Sequence, residues 1–214
     1  MPEPNPIVFL LDDEEAVLVA LARMLQSSGF TVIPYTSADD FLAAHDAQTP
    51  GCLVADVRMP GMNGLELQRT LLARGVDRAI IFVTGQGDIP TTVQAMKAGA
   101  VTFLSKPVRR AELVAAVREA LLRDASGRAQ HREREDFARR LASLTPRERQ
   151  VLDLVATGML NKQIAAELGA AEKTIKVHRG RIMEKMQVRT ATALVGLLSR
   201  AETRADSARG SAAS

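Results

Sequence analysis

The sequence predicts an α/β, doubly wound, five-stranded parallel sheet, followed by a helical linker and an all-α domain of four helices. Three observations predict it. Five short apolar runs alternate with helical patterns through residues 1–123, as in a parallel sheet covered on both faces. Residues 143–201 instead string together four helical segments. The charge also changes sign along the chain. Residues 1–124 carry 11 Lys+Arg against 15 Asp+Glu, and residues 125–214 carry 17 against 10, within a total of +3. An acidic half joined to a basic half suggests a cation- or phosphate-handling module followed by a nucleic-acid binder.

Ile7 to Leu11 is a continuous apolar run, the mark of a strand buried on both faces. A helical pattern through Ala16, Leu18, Ala20, Leu21 and Leu25 follows and stops at Gly29. Thr31 to Tyr35 reads as the second strand, with Ser37 as N-cap of the short helix after it. Leu53 to Ala55 is the third strand, and Leu65 to Leu72 the helix behind it, ended by Gly75. Ala79 to Val83 is the fourth strand; Asp88 and Pro90 open the next helix, which ends near Gly99. Val101 to Leu104 is the fifth strand, and a last helix begins near Arg110. Five βα units with short connections close the domain at about residue 123.

Residues 124–142 read as a partly helical linker. Arg128, His131, Arg132, Glu133, Arg134, Glu135 and Asp136 are a mixed-sign run with almost no apolar content, and Ser126-Gly127 is its soft point. His131 reads as a solvent-facing residue.

In the second domain, Thr145-Pro146-Arg147-Glu148 is a capping box with Pro at the first helical position. Val151, Leu152 and Val155 form that helix's apolar face, and Gly158 ends it. Asn161 caps a helix over Lys162 to Leu168; after a short turn, Glu172 to Met186 and Thr192 to Arg200 follow. Residues 202–214 are small and polar, the composition of a disordered tail.

The single cysteine, Cys52, sits inside an apolar run and reads as a small buried hydrophobe, with no disulfide framework or cysteine metal site. No apolar stretch approaches the roughly 20 residues of a membrane helix, and the N-terminus lacks the layout of a signal peptide. The expectation is a cytoplasmic protein that makes no membrane contact.

Four polar signals each follow an apolar run: Asp12-Asp13, Asp56, Thr84 and Lys106-Pro107. Strand ends of a parallel sheet converge on one rim, where α/β proteins bind ligands. Taken singly, each is an ordinary solvated turn or strand end; in this order on successive strands they make a site. Three carboxylates crowded together call for a hard, oxygen-loving cation, and Mg²⁺ takes carboxylates and water. Asp56 is then the nucleophile that accepts a phosphoryl group. Thr84 can hydrogen-bond a phosphoryl oxygen, and Lys106 supplies compensating charge.

These residues resemble a family. Asp12-Asp13, the run Asp56-Val57-Arg58-Met59-Pro60-Gly61-Met62-Asn63-Gly64, Phe82-Val83-Thr84-Gly85 and Lys106-Pro107 are similar to the flavodoxin-like receiver domain of two-component response regulators. Gly87-Asp88-Ile89-Pro90 and Ala95-Met96-Lys97-Ala98-Gly99-Ala100 resemble the FixJ-like subgroup. The resemblance implies phosphorylation of Asp56 by a sensor histidine kinase and a Thr84–Phe103 switch pair. It also implies a metal set of Asp12, Asp13, Asp56 and the Arg58 backbone carbonyl, and a cis Lys106-Pro107 bond. Arg58 and Gln86, each two positions beyond a site residue, would flank the phosphate.

The basic module has a helix-turn-helix layout, with a turn at Gly169. Ile175, Ile182 and Met186, spaced by seven and four, fall on the buried side of its recognition helix. Lys173, Thr174, Lys176 and Val177 then point outward near its N-terminus, where side chains meet base edges and phosphates. Leu144 to Leu152, Asn161-Lys162-Gln163-Ile164-Ala165 and Lys173 to His178 resemble a LuxR-type domain. Its expected DNA contacts are Lys162, Lys173, Thr174, Lys176, Val177, His178 and Arg181. Ala171 departs from the Ser or Thr that often caps this helix in the family, a loss on the order of 0.5 to 2 kcal/mol.

The expected function is transcriptional control by a DNA-binding response regulator, in which phosphorylation promotes homodimerisation and promoter binding. The expected partners are the kinase, double-stranded promoter DNA, a second copy and RNA polymerase. It is not expected to be an enzyme on external substrates, although self-dephosphorylation is expected. The alternatives are a phosphoryl-transfer or haloacid-type hydrolase on the same rim, and a receiver with a protein- or RNA-binding output.

Overall fold

The computed structural model describes residues 5–85, 89–190 and 192–198, the side chains of 89–91 excepted. The readings that fall on Gln86, Gly87 and Asp88, on Ser199 and Arg200 and on residues 202–214 lie outside the described residues. The chain divides into two compact units, Met1–Ala129 and Gln130–Ser214, described in turn.

The first unit is built on strands β1 (Ile7–Leu11), β2 (Thr31–Tyr35), β3 (Gly51–Asp56), β4 (Ala79–Thr84) and β5 (Thr102–Ser105). They pair in parallel in the order β2-β1-β3-β4-β5, so the order reverses beside β1. Helices α1 (Glu15–Gln26), α2 (Ala38–Ala44), α3 (Gly64–Ala73) and α4 (Ile89–Lys97) alternate with the strands, and α5 (Arg110–Ala142) follows β5. On one face Leu18, Leu21 and Leu25 of α1 and Leu113, Val117 and Ala120 of α5 pack on Val8, Leu10, Val54 and Ile81. On the other, Phe41 of α2, Leu67 and Leu71 of α3 and Ala95 of α4 pack on Phe9, Leu11, Leu53 and Phe82. β3 and β4 are buried along their whole length because helices cover both of their faces. Cys52 is one of those buried residues.

Ser37 caps α2 by accepting from the Asp40 N–H at 3.1 Å. α3 opens with a full capping box: Asn63 accepts from the Glu66 N–H, and Glu66 accepts from the Asn63 N–H.

The 124–142 segment is helical throughout, as the second part of α5, with no break at Ser126-Gly127. Its first residues are not solvated filler. Asp124 is buried and accepts from the Gly51 N–H at 3.0 Å. Arg128 donates to the Asp124 carboxylate and to the carbonyls of Ala47, Gln48 and Thr49. Arg78, buried just before β4, lies 3.6 Å from Asp124 and donates to the carbonyls of Asp46, Thr49 and Gly51. A buried guanidinium needs such partners, because an unpaired buried charge costs several kcal/mol. This polar cluster closes the end of the sheet opposite the strand C-termini.

His45 belongs to it. Its ring stacks on Phe41, with centroids 4.7 Å apart, and its Nε2 lies 3.2 Å from Arg78 Nη2. Since guanidinium only donates, Nε2 accepts and the proton sits on Nδ1, which is buried without a hydrogen-bond partner. Burial and the neighbouring Arg78 charge push the imidazole pKa down to about 4.

The second unit holds α6 (Pro146–Ala156), α7 (Asn161–Glu167), α8 (Glu172–Lys185) and a helical run over 192–198. Val151, Leu152, Val155, Ile164, Ile175, Ile182, Met186 and Leu194 form its core, with Phe137 and Leu141 packed against it. The capping box of α6 has Thr145 accepting from the Glu148 N–H and Glu148 accepting from the Thr145 N–H, with Pro146 at the first position. Glu148 is buried and also accepts from Lys185 of α8 at 2.7 Å. That hydrogen bond, with the one from the Thr145 N–H, holds its pKa down at about 2.

Asn161 does not cap α7. It is the first helical residue, and the extended cap residue is Leu160, whose N–H is satisfied by the Gln163 side chain at 2.8 Å. Leucine offers no acceptor, so Gln163 supplies half of a capping box. Ala171 is the N-cap of α8 and makes no side-chain cap bond.

Candidate functional site

Asp12 lies one residue beyond β1, Asp56 ends β3, and Thr84 ends β4. Parallel pairing brings these ends to one rim. Carboxylate oxygens of Asp12, Asp13 and Asp56 all lie within 4.8 Å of one another. Asp12 and Asp56 are buried while Asp13 is exposed, so the cluster opens to solvent on one side.

Asp12 and Asp56 are each held by a backbone N–H and by the shared Lys106 ammonium. Asp12 Oδ1 accepts from the Glu14 N–H at 3.0 Å, and Asp56 Oδ1 from the Arg58 N–H at 3.1 Å. Lys106 Nζ donates to Asp56 Oδ2 at 2.6 Å and pairs with Asp12 Oδ2 at 2.7 Å. Burial alone would lower the pKa of this ammonium, but the two carboxylates outweigh burial and raise it above the ordinary lysine value. Asp12 Oδ2 is buried and makes no aligned hydrogen bond, so it keeps lone-pair capacity. Three anionic oxygens at this spacing, one with that spare capacity, fit a hard divalent cation.

Lys106 is placed by the backbone: its N–H donates to the Thr84 carbonyl at 2.7 Å, and the Lys106–Pro107 peptide is cis. Thr84 is buried. Phe103, on β5, is half-buried, with its ring 6.0 Å from that of Phe82 on the neighbouring strand. Arg58 is exposed two residues beyond the end of β3, between the buried Val57 and Met59. Gly64 fixes how closely α3 seats on the end of β3, since a Cβ there would lie 2.4 Å from the Asp56 carbonyl oxygen. The structure adds Glu14, whose exposed carboxylate lies 3.9 Å from Lys106 Nζ. Its adjacency to Asp12-Asp13 was the available signal for it.

In the second unit, Lys162 of α7 and Lys173, Thr174, Lys176, Val177 and Arg181 of α8 are exposed. Val177, at 47%, is an apolar side chain left in water. Ile175, Ile182 and Met186 are fully buried on the opposite side. His178 stands apart from the exposed set: it is half-buried, and its Nδ1 is buried without a hydrogen-bond partner. Arg179 reaches back to the Met159 carbonyl at 3.4 Å, bracing α8 against the α6–α7 turn.

Residues 8–118 match the response regulator receiver domain, and residues 142–198 match the bacterial regulatory proteins of the luxR family. The chain is 46% identical to the transcriptional regulatory protein FixJ of Azorhizobium caulinodans, over 91% of this chain and 92% of that protein. It is 44% identical to the response regulator protein TodT of Pseudomonas putida, over 94% of this chain and 88% of that one. The solved structure of the response regulator StyR is similar with a TM-score of 0.86 at 45% identity, covering 92% of this chain and all of that one. No helix among the described residues is long and apolar enough to cross a membrane.

Proposed function

Because the chain belongs to the DNA-binding response regulators of two-component systems, we propose that Asp56 accepts a phosphoryl group from a sensor histidine kinase and thereby switches the second unit onto promoter DNA. The observation that carries this reading is the convergence of Asp12, Asp13 and Asp56 within 4.8 Å beside Lys106.

In the transfer, an Asp56 carboxylate oxygen attacks phosphorus, the bond from phosphorus to the kinase imidazole breaks, and the imidazole nitrogen keeps the electron pair. Asp12, Asp13, Asp56 and the Arg58 carbonyl would hold Mg²⁺, whose charge when bound screens the incoming phosphoryl anion from the carboxylates. Lys106 then neutralises the new acyl phosphate, and the Thr84 hydroxyl donates to a phosphoryl oxygen. Phe103 follows Thr84 and reshapes the surface of α4 and β5, a local electrostatic event biasing a bistable domain. Arg58 flanks the phosphate and sets its lifetime against attack by water, which returns Asp56 and inorganic phosphate.

Two phosphorylated copies pair through that reshaped surface and place two α8 helices on half-sites about one helical turn apart. Lys162, Lys173, Lys176 and Arg181 meet phosphates and base edges, and Thr174 and Val177 meet thymine methyls. His178, half-buried on α8, contributes a DNA contact through the part of its ring that stays exposed. RNA polymerase at the promoter and a cytoplasmic setting complete the reading. The test is a duplex-binding titration with and without a small phosphoryl donor, with mass and dimerisation followed together. Phosphorylation at Asp56 accompanied by tighter, salt-dependent binding is the expected result; turnover of phosphate esters without a DNA response would replace the reading with a hydrolase.

A further inference from the structure

Gly180 is the ninth of the 14 residues of α8. Glycine is the weakest helix former after proline, so a mid-helix glycine ordinarily has a structural reason. Three such reasons are available, and none applies. Gly180 is not among the glycines with positive φ. No described neighbour crowds it: among the described residues, a Cβ built there meets no heavy atom within 4 Å. It is also five residues from the helix end, so it caps nothing. The fold of the second unit does not need a missing side chain at this position.

Its place on the helix surface suggests what does. Gly180 is exposed, and it follows Val177 by three residues, Lys176 by four and Lys173 by seven. At 3.6 residues per turn these four share one stripe. Ile175 and Ile182, at 0% exposure, face the other way. The stripe therefore offers two ammonium groups, an unburied branched apolar side chain and a stretch of bare helix backbone, with the Arg181 guanidinium beside it.

We propose that Gly180 is the point of closest approach of α8 to double-stranded DNA. The absent side chain lets the helix backbone seat against the wall of the major groove. A side chain there would hold the helix out and lengthen the contacts of Val177 and Lys176. Gly180 is thus a specificity-determining position, because depth of seating decides whether short side chains such as Val177 reach base edges. This inference rests on the DNA-binding reading above.

The full chain, phosphorylated with a small phosphoryl donor, is used to select duplexes from a random-sequence pool, and affinity for the selected duplex is compared for wild type, Gly180→Ala and Gly180→Leu in the same state. Alanine and leucine have nearly equal helix propensity and differ in bulk. Both variants should unfold at a temperature no lower than wild type. Ala should weaken binding about tenfold, the order of one spoiled base pair, and Leu by roughly a hundredfold or more. Equal affinity across the three proteins would overturn the proposal. So would equal losses for Ala and Leu, which would assign the glycine to helix softness. If the wild-type chain selects no duplex, the DNA-binding reading fails first and takes this inference with it.

Discussion

Lys106, one residue beyond β5, contacts Asp56 Oδ2 through its Nζ at 2.6 Å, although β5 does not pair with β3; β4 lies between them. The same ammonium reaches Asp12 at the end of β1, so one side chain spans the C-terminal ends of four adjacent strands. Its charge balances part of the negative charge that the three aspartates concentrate there. Lys106→Ala should fold and still be labelled at Asp56, but labelling should leave its duplex affinity nearly unchanged. Wild-type-like activation by phosphate, measured in the same titration, would remove Lys106 from the switch.

Asp56→Asn should abolish labelling by a small phosphoryl donor, read as the loss of a single phosphoryl mass, while circular dichroism stays that of the wild type. Asparagine keeps the acceptor for the Arg58 N–H but lacks the nucleophilic carboxylate. Retained labelling would move the acceptor to another residue.

The Arg78–Asp124 pair is buried on both sides, with side-chain exposures of 1% and 7%. Asp124→Ala leaves a buried guanidinium without its counter-charge and should destabilise the first unit by about 3–5 kcal/mol in denaturant melts of the full chain. Glu135→Ala, at an exposed position on the same helix, should change stability by no more than about 0.5 kcal/mol. Similar effects from the two substitutions would show that burial does not decide the matter.

Two groups, one in each unit, contribute to the acid limb of stability. His45 stays neutral in the fold down to about pH 4, whereas the unfolded chain takes up that proton near 6.5. The unfolded state thus binds more protons in that window, and stability falls as pH drops through it. Arg78 and Arg128 oppose the imidazolium and Asp46 favours it. Tyr35, the single tyrosine, packs edge-on against Phe41 and reports the first unit by fluorescence. Glu148 stays ionised to about pH 2 against 4.5 unfolded, so its contribution is complete above 4.5 and lost as pH falls toward 2. His45→Gln should flatten the first window and Glu148→Gln the second, each without touching the other.

Lys173→Ala and Lys176→Ala should weaken duplex binding and each reduce the slope of log affinity against log salt by about 0.9, one phosphate's worth. Labelling of Asp56 should be unaffected. Unchanged slopes would place the DNA on another face of the second unit.

The parts of this molecule legible in its sequence are those whose cause is local. An apolar run followed by a polar side chain marks a buried strand reaching the rim, which is why the positions of Asp12, Asp56, Thr84 and Lys106 at strand ends were legible from the sequence. The Thr145–Glu148 box is likewise complete within four residues. Asp124 and Arg128 were not legible, because what buries them arrives from distant sequence: the Arg78 side chain, the Gly51 N–H and the carbonyls of 47–49. A polar, mixed-sign stretch reads as solvated when its partners lie more than 40 residues upstream. The α7 cap was misplaced by one residue for a related reason. Asparagine is the better cap by chemistry, but Gln163 reaching back to Leu160 satisfies the same terminus from inside the helix.

Arg128 fastens the turn ahead of β3 through three main-chain oxygens while gripping Asp124. An excised fragment that stopped at residue 123 would shed both groups and leave Arg78 without its carboxylate. Limited proteolysis of the intact chain should therefore spare the peptide bonds around Gly127, and the shortest self-sufficient N-terminal piece should end no earlier than Ala129.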